Sequence, residues 1–344
     1  MSASGTRRTA CQVIVGGKDI SSALNPILSD LTVTLSSGGT TDTASINMDD
    51  SDGRIVMPKD DELITISLGW SGGSVAEVFR GKVNDIKSSG GRSGRMLAIG
   101  CSGMGTKSKT KQISNKHFDE SRLGDIMKAV AQGAGITEML VDAELAATQL
   151  PYFAQIEESF VHFGQRVADM FGGTFKVMGD KAVMVKRGAG KSVSGRPLKT
   201  ITGAWGENLS TWDIAPITGR PRHKDVQAKW YDRKKAQWSV EAFPTTDTDA
   251  IATAKVRFPP SSQLEAKASA SSGASAADRG KGGGTVVIDG EPDAVPEAPF
   301  ILSGTRPGID GNYLIDSVTH NFGRSAGFMT SLSLRRPKVA KDNR

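Results

Sequence analysis

Apolar residues recur at every second position through much of the first hundred residues, and this periodicity limits the fold more than any other feature. Leu31, Val33 and Leu35 alternate with threonines, Ala44, Ile46 and Met48 alternate with polar residues, and Ile64, Ile66 and Leu68 follow a turn-rich stretch from Asp49 to Asp61. A period of two is that of a strand with one face buried and the other wet, so these segments belong to an antiparallel sheet. Phe79-Arg-Gly-Lys-Val-Asn-Asp-Ile86 carries the alternation on through Phe79, Gly81 and Val83, a Ser/Gly/Arg turn follows, and Met96 to Cys101 reads as the return strand. Residues 11 to about 105 are therefore expected to close into a small antiparallel barrel or sandwich. The 40 glycines in 344 residues and an aromatic content of 6% fit a chain of many turns rather than a few aromatic-filled helices.

The period changes in the middle of the chain. Leu123, Ile126, Val130 and Ala134 recur at helical spacing and stop at Gly133 and Gly135. Phe160, Phe163, Val167, Met170 and Phe171 repeat the pattern, with Glu157 and Glu158 expected at the positive helix end and Gly172-Gly173 at a left-handed C-cap. Phe175 and Val177, a turn at Gly179-Asp180, and Val183 and Val185 then predict a hairpin. The Phe/Met stripe reads as core rather than as a ligand pocket.

Strands return from Ile201. Val226, Ala228 and Trp230 pair through an Asp232 to Lys235 turn with Trp238, Val240 and Ala242, and further strands are expected near Thr285 to Ile288, Asn312 to His320 and Phe328 to Leu334. Tyr313 and Ile315 share a phase that Val318 breaks, which predicts a bulge at Asp316-Ser317. Between Pro260 and Gly284 the composition becomes Ser/Ala/Gly-rich, yet Ala266, Ala270, Ala274 and Ala277 line one face of a helix. That stripe of small residues predicts a helix lying close against a sheet, weakened by Gly273. No internal repeat is legible, although the order β, α/β, β suggests two related β units.

Charge and chemistry exclude more than they specify. No run of about 18 apolar residues exists, and Met1 to Arg8 is polar, so neither a membrane-spanning helix nor a signal peptide is expected. Cys11 and Cys101 stand outside any CxxC or Cys/His grouping and are expected as free thiols, not a zinc site or a bridge. The net charge of +6 is unevenly spread: Ile86 to Phe118 holds seven Lys/Arg and no acid, and basic stretches follow at 176–199 and 220–235. No reading helix or interleaved aromatic accompanies Lys107, Lys109 and Lys111, so a solvated face is the expectation. Val185-Lys-Arg-Gly-Ala-Gly-Lys-Ser192 ends like a P-loop, but Val185 replaces the first glycine and Val193 to Pro197 cannot begin the helix a phosphate needs. His117, His162, His223 and His320 are scattered, Asp316 and His320 lack a serine on a Gly-x-Ser-x-Gly elbow, and Asp49, Asp50, Asp60, Asp61 and Glu62 read as turn residues. No catalytic, cofactor-binding or metal-binding residue is therefore assigned.

Three stretches together resemble a known family. They are Phe79 to Ile86 with its Ser/Gly turn, Gln155-Ile-Glu-Glu-Ser-Phe160 running through Phe163 to Gly173 and Phe175 to Val185, and Gly311 to His320 followed by Gly327-Phe-Met-Thr330. In that order and spacing they resemble the late control protein D group, the tail-hub proteins of contractile-tailed phages, with relatives in contractile injection systems. The resemblance implies a mainly β chain with an α+β insert. Its two β-barrel-like tube-type units, 1–106 and 191–338, flank a small α/β unit at 107–190; a helix falls near 261–280 and a basic tail at 339–344. It implies a non-enzymatic homotrimer in the virion baseplate, assembled in the host cytoplasm. Such a ring would adapt a sixfold tail tube or its initiator above to a trimeric spike below, contact other baseplate proteins and let DNA pass. Two other functions remain distinguishable by experiment: a peptidoglycan-degrading tail enzyme, visible on a zymogram, and a nucleic-acid-binding regulator, with steeply salt-dependent DNA affinity.

Overall fold

The computed structural model describes residues 8–336 apart from 39, 40, 74, 93, 106–108, 193, 194, 248, 325 and 326; the basic tail and Lys107 lie outside the described residues. The first β region holds β1 (Thr9–Val15), β2 (Lys18–Asp19), one helical turn α1 (Ser21–Leu24), β3 (Leu28–Ser36), β4 (Thr43–Asp49), β5 (Leu63–Trp70), β6 (Val75–Gly91) and β7 (Gly94–Ser102). The middle holds β8 (Ile113–Arg122), α2 (Leu123–Gly133), β9 (Glu138–Val141), α3 (Ala143–Ala146), β10 (Gln149–Ser159), α4 (Phe160–Phe171), β11 (Gly173–Met178) and β12 (Lys181–Lys186). The last part holds β13 (Ile201–Ala204), β14 (Leu209–Ala215), β15 (Asp225–Asp232), β16 (Gln237–Pro244), β17 (Thr253–Lys255), α5 (Gln263–Arg279), β18 (Gly283–Asp289), β19 (Pro299–Ser303), β20 (Gly311–Gly323) and β21 (Gly327–Arg335).

One 13-stranded sheet runs through both β regions, and within it the same five-strand arrangement occurs twice. The strands β3, β4, β5, β6 and β7 lie side by side as β3-β4-β7-β6-β5; β14, β18, β19, β20 and β21 lie as β14-β18-β21-β20-β19. Taken in chain order, each strand of the first set occupies the place of its counterpart in the second, and every neighbouring pair is antiparallel. Two of the irregularities coincide as well. Ser29 is the extra residue where β3 meets β4, and Ser210 is the extra residue where β14 meets β18. Asn84 bulges from β6 against β7, and Asp316 bulges from β20 against β21, the position the broken phase predicts. With those bulges superposed, Val83-Asn84-Asp85-Ile86 falls on Ile315-Asp316-Ser317-Val318.

The two repeats share one apolar core. Leu31, Val33, Ile46, Ile66 and Leu97 of the first and Val286, Ile288, Phe300, Val318 and Leu332 of the second belong to a single cluster of buried side chains. Trp70 reinforces the contact, its indole N–H donating to the Gly290 carbonyl at 2.8 Å and its ring 5.8 Å from that of Phe328.

The middle unit has its own core. Phe153, Phe160, Phe163 and Phe175 meet edge-on beneath α2 and α4, and Gly172 (φ 69°) closes α4 in the left-handed conformation. Ser159, rather than either glutamate, caps α4 by accepting from the His162 N–H. Glu158 instead receives Nε and Nη2 of Arg166 at 2.7 and 2.8 Å, beneath a guanidinium stacked 5.2 and 5.3 Å from the Phe153 and Phe163 ring centres. Glu157 (φ 49°) sits in a bulge of β10, its N–H donating to Asn115 Oδ1 at 2.7 Å.

The β15–β16 hairpin does not join the large sheet. With β17 it forms a separate three-stranded sheet, and α5 packs on it through Ala266 and Ala270, which touch Ala228. The closeness that the alanine stripe predicts is observed: a Cβ on Gly273 would stand 3.0 Å from Val226 Cγ1. The fold is thus mainly β with few helices.

Candidate assembly site

The only described contact that joins the two repeats strand to strand is β3 against β20, antiparallel from Ser36↔Ser317 to Asp30↔Gly323. One face of this pair is core: Leu31, Val33 and Leu35 stand opposite Phe322, His320 and Val318. The other face is polar, with Thr32 Oγ1 donating to Asn321 Oδ1 at 3.2 Å and Thr34 and Thr319 hydroxyls 3.5 Å apart. The ladder is closed beyond Ser36 by the Ser37 N–H, which donates to the Asp316 carbonyl at 2.9 Å, while the Ser37 hydroxyl donates to the Asp316 carboxylate at 2.8 Å. A bulged residue thereby directs its carboxylate toward the strand that docks beside it.

His320 is fully buried in this junction. Nδ1 lies 3.1 Å from Thr330 Oγ1, whereas Nε2 makes no hydrogen bond of standard geometry. Burial brings the imidazole down to about 4, only partly offset by the nearby Ala294 backbone, so it is neutral at physiological pH.

A polar cleft of about 210 Å³ lies beside the junction, where the middle unit meets both repeats. Arg335 pairs with Asp316 at 2.6 Å, Arg187 with Asp169 at 3.2 Å, and the Gly188 N–H donates to Glu297 at 2.6 Å. Burial pushes the Glu297 carboxyl up and the Arg279 guanidinium down from their ordinary values. Three cations and three anions balance here, a composition that seals an interface rather than exposing one strong charge. Lys176 adds a second tie, its Nζ 2.9 and 3.0 Å from the two carboxylate oxygens of Asp42.

Among the described residues the large sheet has open strand edges at β6 and β14, as well as along β1–β2 and β13. β5 covers one side of β6 as far as Val83, and beyond that point residues 85–91 pair only with β7. β14 pairs with β18 on one side and with no named strand on the other.

The sequence-flagged chemistry does not converge. His117 and His162 are exposed, the latter 3.4 Å from Glu158 Oε1, and His223 lies on the α5 side of the molecule with its carbonyl accepting from Thr245. Asp49, Asp50 and Glu62 accept from the backbone N–H groups of Ser51, Ile55 and Lys59, and Asp61 pairs with Lys82 at 3.0 Å, all local turn or ion-pair roles. Gly190 (φ 60°) lies in a loop that no helix follows among the described residues through Thr200. Cys11 and Cys101 are free thiols, both pushed up to about 12 by burial. Of the basic stretches, Lys176, Lys181, Lys186, Arg187 and Lys199 all hold carboxylates. Among the described residues no group of three or more His, Cys, Asp or Glu is placed to hold a metal, and no helix is long and apolar enough to cross a membrane.

What the geometry offers is repeated strands with open edges. Residues 56–326 match the family described as phage tail baseplate hub (GPD). The chain belongs to the phage tail baseplate hub family. It is 24% identical over 364 residues to a probable baseplate hub protein of Escherichia phage 186, covering 94% of this chain and 92% of that one. Its fold is similar to that of a tail protein from Neisseria meningitidis MC58 (TM-score 0.69, 15% identity, 96% and 97% of the two chains). It is also similar to a type VI secretion system component of E. coli (TM-score 0.58, 10% identity, 97% and 77%). The hub is accordingly a component of the phage tail baseplate.

Proposed function

We propose that three copies of this hub form a closed ring that adapts a sixfold tail tube, or the protein that initiates it, to a threefold spike. The doubled five-strand arrangement carries this reading. Each chain presents two equivalent units, so three chains present six around a common axis, whereas six chains would present twelve. The spike then meets one threefold set and the tube a quasi-sixfold set, other baseplate proteins dock at the periphery, and the genome passes through the channel. The ring assembles in the host cytoplasm before it enters the virion.

The hub itself acts without catalysis in this reading. Its flagged carboxylates serve turns and ion pairs, and its buried imidazole is neutral and enclosed. A zymogram without lytic bands is the expected companion result.

Light scattering on the purified protein, alone at high concentration and again with its spike, is the decisive measurement. The expected mass for the hub is three times 36.3 kDa, about 109 kDa. A hub that stays monomeric under both conditions overturns the ring.

A further inference from the structure

We infer that the open edge of β6 pairs, antiparallel, with β14 of the next copy of the chain, and that this contact repeats the β3–β20 contact made inside each chain. The inference rests on the ring reading and specifies the surface that closes it. In the doubled arrangement β20 is the counterpart of β6, and β14 the counterpart of β3. Inside the chain, the β20 of one repeat takes up the β3 of the other. The remaining pair of the same two kinds is β6 and β14, and each of them has an open edge among the described residues. A head-to-tail contact between copies satisfies both without inventing a new type of junction.

The matched bulges supply the register. Asp316 corresponds to Asn84, and Ser29 to Ser210, so Asn321↔Thr32 translates to Ser89↔Asp213 and Phe322↔Leu31 to Gly90↔Trp212. The paired segments are Lys87–Gly91 and Thr211–Ala215. Pro216, which lacks an N–H, ends the ladder at one end.

Side-chain chemistry agrees with this register. Trp212 is half-buried on the core side of its own repeat and would lie across from Gly90, where a large ring over a bare backbone fills the place that Phe322 and Leu31 share inside the chain. Ser89 and Asp213 reproduce the polar pair made by Asn321 and Thr32. Lys87, two residues from Ser89 on the same face, is diagonal to Asp213 and within reach of its carboxylate. Residues 87–91 are exposed within one chain, as an edge awaiting a partner requires.

Cysteine pairing tests the register. Ser89 and Asp213 would face each other without mutual backbone hydrogen bonds, a relationship with Cα atoms about 4.5 Å apart, close enough for a disulfide. The S89C/D213C protein, oxidised and run on a denaturing gel, is expected to give covalent dimers and trimers. An equimolar mixture of S89C and D213C chains is expected to stop at dimers. S88C/D213C, in which a one-residue slip turns one thiol to the opposite face, is expected to cross-link at least several-fold less. If wild-type protein forms the 109 kDa species while S89C/D213C stays monomeric on the gel, the strand pairing is wrong and the ring stands. If wild type stays monomeric with and without its spike and no pair cross-links, both are overturned.

Discussion

His320 shows how one side chain couples the junction between the repeats to pH. Its ring is buried between strands of different repeats and falls to about 4, against an ordinary value near 6.5. Between those values the unfolded chain binds a proton that the folded chain refuses. Stability is therefore unaffected by this group above pH 6.5 and is lost as pH falls through the window, by up to about 3 kcal/mol once pH is below 4. Glu297 acts in the opposite sense, since a carboxyl pushed up by burial costs stability as pH rises through its folded value. The substitution His320→Leu is expected to reduce the loss of stability between pH 7 and pH 5, read as denaturant midpoints across that range. Thr330 Oγ1 still accepts the Glu291 N–H at 3.0 Å in the variant. An unchanged pH slope would refute the assignment. Sequence singled out His320 only as a lone histidine near Asp316, because its distinguishing property is complete burial where two distant strands meet, which no spacing encodes.

At the scale of elements, legibility followed burial. Strands with one buried face, such as β3, β4 and β5, announce themselves through alternation, and α2 and α4 through their apolar stripes. The long β8–β10 ladder escaped because β8 has no buried position and shows no apolar phase. The bulge at Asp316 was readable because Tyr313, Ile315 and Val318 are all buried and visibly change phase. Its counterpart at Asn84 passed unnoticed, since half-buried Ile86 is the single apolar residue marking the new phase. In α5 the small-residue stripe carried enough information to place the helix close to a sheet, though not to say which one. Ala270 is fully buried against β15, so Ala270→Leu is expected to destabilise by roughly 1–3 kcal/mol through overpacking. Hydrogen exchange should accelerate in residues 225–256 while β3 and β4 keep their protection. A variant that exchanges like wild type in 225–256 would mean the helix is not held there.

For the whole molecule, the shared core makes the two repeats one cooperative unit despite the 106 residues and separate sheets between β7 and β14. Leu31 is fully buried in the first repeat at its junction with the second, and Leu31→Ala is expected to cost about 2–5 kcal/mol. Protection should fall together in β4 and in β18, one from each repeat, and loss confined to β4 would show that the repeats unfold separately. Local chemistry was sufficient to determine that the chain is mainly β, that helices of two kinds interrupt it, where α4 ends and where β20 bulges. Each of these follows from neighbours within a few residues: side-chain phase, turn formers and a glycine able to adopt positive φ. The three family stretches also lay open in the sequence, Val83 to Ile86 and Ile315 to Val318 among them, although their equivalence did not. That equivalence, the capture of β3 by β20, the separation of β15–β16 from the large sheet and the open edges of β6 and β14 were decided only by tertiary structure. Antiparallel pairing between distant strands depends on backbone hydrogen bonds that any sequence supplies and on apolar faces that many residues satisfy equally well. Related units can therefore diverge in side chains while keeping the same strand order and the same bulges.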